Sequence, residues 1–172
     1  GVSGRASAVL AYGPFGGGHG HFDKLSFVYF ARGEEQGYDP GRARSQAYRL
    51  PIHKDWYRAT TSHNTVLVDR VSQEGVEGAL ECFLTNDEVS AAAANTDQAY
   101  AGVMHHRLLV LRPDYLVVAD ILADEGGREH TYDWVYHNLG ELISSNQAVE
   151  LAEPGDGQGF EYLEGCRKGV TD

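Results

Sequence analysis

The segment Gly16-Gly17-Gly18-His19-Gly20-His21-Phe22-Asp23 is where this sequence first offers chemistry. Glycines packed around two imidazoles let the backbone approach a ligand where bulkier residues would clash. On an extended backbone His19 and His21, at i and i+2, face the same way and share one cleft, so that one could bind a metal while the other handles protons. An isolated His-x-His pair is explained equally well by imidazoles that cap backbone groups.

Two later residues strengthen the chemical reading. Asp39 sits in Tyr38-Asp39-Pro40-Gly41, and His63 in Thr60-Thr61-Ser62-His63-Asn64-Thr65-Val66. Two histidines and a carboxylate suit zinc, although a structural zinc takes four ligands, so water or a further residue is needed. A rival set, His21 and Asp23 with a distant histidine, would resemble the two-His-one-carboxylate face of a non-haem iron centre.

Arg42, Trp56, Tyr57 and Arg58 are the candidate substrate-binding residues. A guanidinium fork grips a sugar carboxylate and a flat aromatic face stacks on a pyranose ring. Arg44 and Lys54 read as solvated. His105-His106-Arg107 opens an apolar strand; Tyr132, Trp134 and Tyr136 read as core, and His137 is open to either reading.

Charge distribution supports an acidic ligand. The net charge of -11 opposes nucleic-acid binding, which needs a clustered basic surface. Residues 1–70 nevertheless hold nine Lys/Arg against six Asp/Glu, leaving five against nineteen in 71–172. An anionic partner should therefore meet the first part, where Arg42, Arg44, Arg49, Lys54 and Arg58 cluster.

Positioning these residues falls to strands. With 21 glycines, ten tyrosines and short β-branched runs in 172 residues, the sequence reads as a single all-β domain with little helix, occupying 1–172. Strands are expected at 6–12, 25–31, 65–68, 80–84, 89–94, 107–111, 115–119 and 131–136, the spacing of an antiparallel β-sandwich. Arg112-Pro113-Asp114 predicts a hairpin turn. Residues 39–62 lack clean periodicity and read as a long functional loop. Cys82 and Cys166 form neither a disulfide framework nor a metal knuckle. No apolar run reaches the 18 residues needed for membrane insertion, and the opening glycine suggests a processed or excised chain.

Tyr12-Gly-Pro-Phe-Gly-Gly-Gly-His-Gly-His-Phe-Asp-Lys-Leu-Ser-Phe27, Asp39-Pro-Gly41 and Ser62-His-Asn-Thr-Val-Leu-Val-Asp69 together resemble the heparinase II/III-like polysaccharide lyases, most closely the oligoalginate lyases. The resemblance continues through 100–120 and 130–137. It implies a large antiparallel β-sandwich that follows an N-terminal α/α-toroid, here absent, with further strands expected beyond Asp172. It also implies a periplasmic or secreted protein acting on an acidic polysaccharide or oligosaccharide, alginate first and heparin-like glycans next, and allows a homodimer.

The implied reaction is β-elimination: the uronate C5 proton is removed, the glycosidic oxygen at C4 leaves, and an unsaturated sugar remains. By the same resemblance His19 is catalytic, while His21, Asp39 and His63 hold one structural zinc. The acid/base tyrosine would come from the toroid. A non-catalytic, zinc-stabilised carbohydrate-binding β module is the alternative.

Overall fold

The structure, a computed structural model, describes residues 6–44, 50–145 and 148–169. Arg49 of the basic cluster lies outside the described residues.

Eleven strands are present among the described residues, all pairing antiparallel, with helix limited to single turns. One sheet has the order β1 (Ser7–Leu10), β2 (Phe27–Ala31), β3 (Glu34–Gly37). A larger sheet runs β5 (Ala79–Thr85), β6 (Ser90–Tyr100), β7 (Val103–Leu111), β8 (Leu116–Asp124). Two further pairs complete the described strands: β4 (Val66–Val68), between the two sheets in sequence, pairs with β9 (Tyr132–Trp134) beyond β8, and β10 (Glu150–Leu151) pairs with β11 (Arg167–Lys168). This is the β-sandwich architecture that the strand spacing implied. No helix of the described chain is long and apolar enough to cross a membrane.

Strand β3 escapes the sequence pattern because Glu-Glu-Gln-Gly carries no apolar alternation. It forms because Arg32 and Gly33 both take positive φ (57° and 85°), the primed turn that matches strand twist and folds β3 back on β2. The Arg112-Pro113-Asp114 hairpin is present, closed by Arg112 N–H donating to Tyr115 O at 2.9 Å between β7 and β8.

Alternation places Val103, His105, Arg107 and Leu109 of β7 inward. Arg107 crosses the interior to Leu25 and Asn64 and lies 5.5 Å over the Phe27 ring, joining the two sheets. Val66, Leu67 and Val68 are buried throughout, and Val68 packs with Ala99, Tyr100 and Val103.

Tyr132, Trp134 and Tyr136 depart from the expected core. They are 43%, 51% and 39% exposed, because the β4–β9 register turns Asp133, Val135 and His137 inward instead. Trp134 and Tyr136 stack at 5.9 Å, and both also meet Phe27.

Candidate functional site

The glycine-rich segment is bent, not extended. Gly17–His19 forms a single 3-10 turn, with Gly17 at φ 59°. The i, i+2 argument for a shared direction therefore does not apply: His19 ends the turn exposed, whereas His21 is half-buried. Glycine is required at position 20, where a Cβ would come within 2.7 Å of Gly16 N and the Phe15 ring. Arg58 fixes the segment from the other side: its Nε donates to Gly20 O at 2.9 Å and its guanidinium lies 5.3 Å over Phe22.

The second part of the site is a run of polar residues that is nevertheless interior. Thr60, Thr61, Ser62, His63, Asn64 and Thr65 are at most 2% exposed. Burial of so many polar groups requires partners. Thr60 Oγ1 donates to Phe22 O at 2.7 Å, Ser62 Oγ to Ala59 O at 3.0 Å, and Thr65 Oγ1 to Lys24 O at 3.0 Å. Asn64 Nδ2 donates to Phe27 O at 2.8 Å and to Tyr38 O at 3.0 Å, while its Oδ1 accepts from His137 N at 2.6 Å. The end of the long loop is thus a buried brace between the His21 segment and the Asp39 segment.

These contacts bring the expected metal residues together. Asp39 Oδ2 lies 2.6 Å from His63 Nδ1, and Asp39 Oδ1 accepts from Gly41 N at 2.9 Å. The His21 and His63 ring centroids are 5.2 Å apart. Burial raises the Asp39 carboxyl, but the His63 hydrogen bond and charge and the Gly41 N–H prevail and hold it below the usual carboxylate range. Burial, and then the neighbouring His63, lower the His21 imidazole, which favours the neutral ring that ligates metals.

As the side chains stand, no three His, Cys, Asp or Glu donors converge on a metal position among the described residues. The donor types still fit zinc. Two imidazoles on one tetrahedral zinc have centroids about 5 Å apart, which the His21–His63 pair meets. His63 Nε2 is buried without a hydrogen-bond partner, whereas a zinc shared with Asp39 would be taken by Nδ1, the ring nitrogen that faces the carboxylate. Ligand atoms on such an ion stand about 3.3 Å apart, so the Asp39–His63 contact would have to lose its bridging proton and open slightly to admit one.

Sequence reasoning missed His53. It lies on a six-residue π-helical segment, Ile52–Tyr57, is 4% exposed, and meets the His21 ring edge-on at 6.3 Å. No periodicity in residues 39–62 marks it as inward-facing. His137, which the sequence leaves open to either reading, is half-buried: Nε2 donates to Thr61 O at 2.8 Å, and burial first of all lowers its pKa.

The candidate sugar-binding residues are distributed around this cluster. Trp56 packs edge-on against His137 at 5.9 Å and, tilted, against Tyr162 at 6.1 Å, and Tyr57 beside it is half-buried. Arg42 is exposed. A cleft of about 330 Å³ lies between Phe22, Lys54, Arg58, Ser72 and Gln158.

The model of the heparinase II/III-like C-terminal family matches residues 2–166. The chain belongs to that family. Two relatives of this heparinase II/III-like domain are an alginate lyase of Stenotrophomonas maltophilia (strain K279a), 30% identical over 154 residues, and an exo-oligoalginate lyase of Saccharophagus degradans (strain 2-40 / ATCC 43961 / DSM 17024), 28% identical over 154 residues. Each comparison covers 78% of this chain and 21% of the relative, so the heparinase II/III-like domain spans about a fifth of either protein. Its fold matches a heparinase III with TM-score 0.71 at 19% identity, over 87% of this chain and 24% of that one. It also matches the heparan sulfate lyase HepC of Pedobacter heparinus with TM-score 0.58 at 21% identity, over 67% and 18%.

Proposed function

We propose that this chain is the C-terminal β-sandwich part of a polysaccharide lyase that cleaves uronate-containing glycans by β-elimination, with alginate or oligoalginate as the first candidate and heparin-like glycans the second. The observation that carries the reading is the exposed His19 one residue removed from the inward-facing His21, which meets His63 and its Asp39 partner. One residue type thus appears in two environments, one open to substrate and one enclosed.

His19 serves as the catalytic group, taking the C5 proton of the uronate or stabilising the negative charge that develops as it leaves, while the C4–oxygen bond breaks and C4–C5 becomes a double bond. The proton acquired by the departing oxygen comes from a tyrosine of an N-terminal α/α-toroid. Arg42 faces the uronate carboxylate, whose charge must be neutralised for the C5 proton to become acidic. Trp56 and Tyr57 form the adjoining wall, and Arg58 supports the histidine loop through Gly20 while its remaining donors face the sugar.

His21, Asp39 and His63 hold one zinc ion, which supplies rigidity to the loop instead of chemistry at the sugar. The protein acts in the periplasm or outside the cell, where such polymers are met, and a homodimer is compatible with this role.

The test is to express the chain with its natural upstream sequence and follow the ultraviolet absorbance of unsaturated uronate released from alginate, heparin and hyaluronan. Absorbance growth on one of them supports the lyase. Silence on all three, with binding retained, would leave the carbohydrate-binding module instead.

A further inference from the structure

A guanidinium removed completely from water must be surrounded by acceptors, because an unpaired buried charge is prohibitively unfavourable. Arg107 is 0% exposed and is surrounded in this way. Nε donates to Asp120 Oδ1 at 2.7 Å and Nη2 to Asp120 Oδ2 at 2.9 Å, a bidentate pair. Asp120 is itself held by His105 Nε2 at 2.7 Å and by Trp134 Nε1 at 3.0 Å.

The remaining nitrogen makes contacts that sheet packing alone does not require. Nη1 donates to Leu25 O at 2.6 Å and to Asn64 O at 2.6 Å. One nitrogen thus ties together two segments 39 residues apart in sequence, the residues following His21 and the residue following His63. Leu25, buried at 0%, has φ 60°, a conformation bulky residues avoid unless their surroundings impose it. Its N–H is held by Ala11 O at 2.7 Å and its carbonyl by Arg107. Asn64 in turn reaches Tyr38 O, beside Asp39, and His137 N.

We infer that Arg107, anchored by Asp120, its cross-strand partner on β8, is a positioning residue for the histidine site: through the Leu25 and Asn64 carbonyls it sets the separation of His21 from His63 and, through Asn64, of His63 from Asp39. The inference rests on the site reading proposed above. It adds a residue that touches neither metal nor sugar. A rigid anchor on a strand holds such a site to tolerances that loops alone do not.

The test compares the wild-type chain with Arg107→Lys, Arg107→Met and, as a control of burial alone, Val103→Ala. Arg107→Lys retains the buried cation opposite Asp120 but cannot span the carboxylate and both carbonyls, so it carries the test if Arg107→Met does not fold. At a temperature where the variants are folded, two quantities are read: the imidazole nitrogen resonances of His21 and His63, and cobalt(II) affinity.

We expect both arginine variants to shift the two imidazole signals and to weaken cobalt(II) binding by about tenfold or more, the effect usual for residues that orient ligands. Val103→Ala should lower the melting temperature and leave both readings alone. Unchanged imidazole signals and unchanged affinity in folded Arg107→Lys would overturn the inference. If the wild-type chain takes no cobalt, the zinc assignment fails, and the imidazole signals alone decide the role of Arg107.

Discussion

Asp39 Oδ2 and His63 Nδ1 lie 2.6 Å apart although 24 residues separate them in sequence, and the adjacent Asn64 Nδ2 and Tyr38 O make a second link at 3.0 Å. The two segments are therefore pinned both through a titratable pair and through a neutral one. Removal of either side chain should loosen the other segment.

His63→Ala deletes the buried partner of Asp39 and leaves a hole in the brace. We expect zinc content measured by elemental analysis to fall towards zero and the apo chain to lose about 2 kcal/mol of stability. Full zinc occupancy in the variant would show that the metal assignment is wrong.

His19→Ala should behave oppositely. In the full-length enzyme turnover is expected to drop by about 10²-fold or more, the usual contribution of a general acid or base, with zinc retained. Zinc lost together with activity would mean that the roles of His19 and His21 are exchanged.

Arg58→Gln separates support from substrate binding. Loss of the Gly20 hydrogen bond and of the contact over Phe22 should destabilise the chain by about 1–2 kcal/mol in urea unfolding without any sugar present. Unaltered stability would assign Arg58 to the substrate alone.

Acid should weaken the fold through His105 and Asp120. Burial lowers the His105 pKa, so the folded chain keeps that ring neutral while the unfolded chain protonates it below about pH 6.5. Burial raises the Asp120 carboxyl, but hydrogen bonds from His105 and Arg107 hold it well below the usual carboxylate range. Both depressed values contribute stability that is full above the ordinary pKa and is lost as pH falls: His105 from about pH 6.5 downward, Asp120 from about pH 4. Urea midpoints should fall between pH 7.5 and 5, and His105→Gln should flatten that slope. An equal slope in the variant would remove His105 as its cause.

Much of this molecule was legible because its signals are local. Alternating strands, the Arg112-Pro113-Asp114 hairpin and the glycine-rich histidine segment depend on residues near one another in sequence, and motif resemblance by itself nominates His19, His21, Asp39 and His63. Glycine at 20 is required by a close approach of Phe15 and Gly16, which glycine content hints at but does not locate.

The rest is decided by distance in three dimensions. Whether Tyr132, Trp134 and Tyr136 face in or out depends on the β4–β9 register, since a one-residue shift exchanges the two faces. The polar run 60–65 resembles a loop because composition cannot reveal that carbonyls of Phe22, Lys24, Phe27 and Tyr38 wait to receive its donors. His53 is apparent only when the π-helical segment folds it against His21, and Arg107 only when β7 aims it at Leu25 and Asn64. Residue types and local spacing determined which groups this protein has for chemistry; tertiary packing decided which of them meet, because a buried polar group must find its partner wherever in the chain that partner lies.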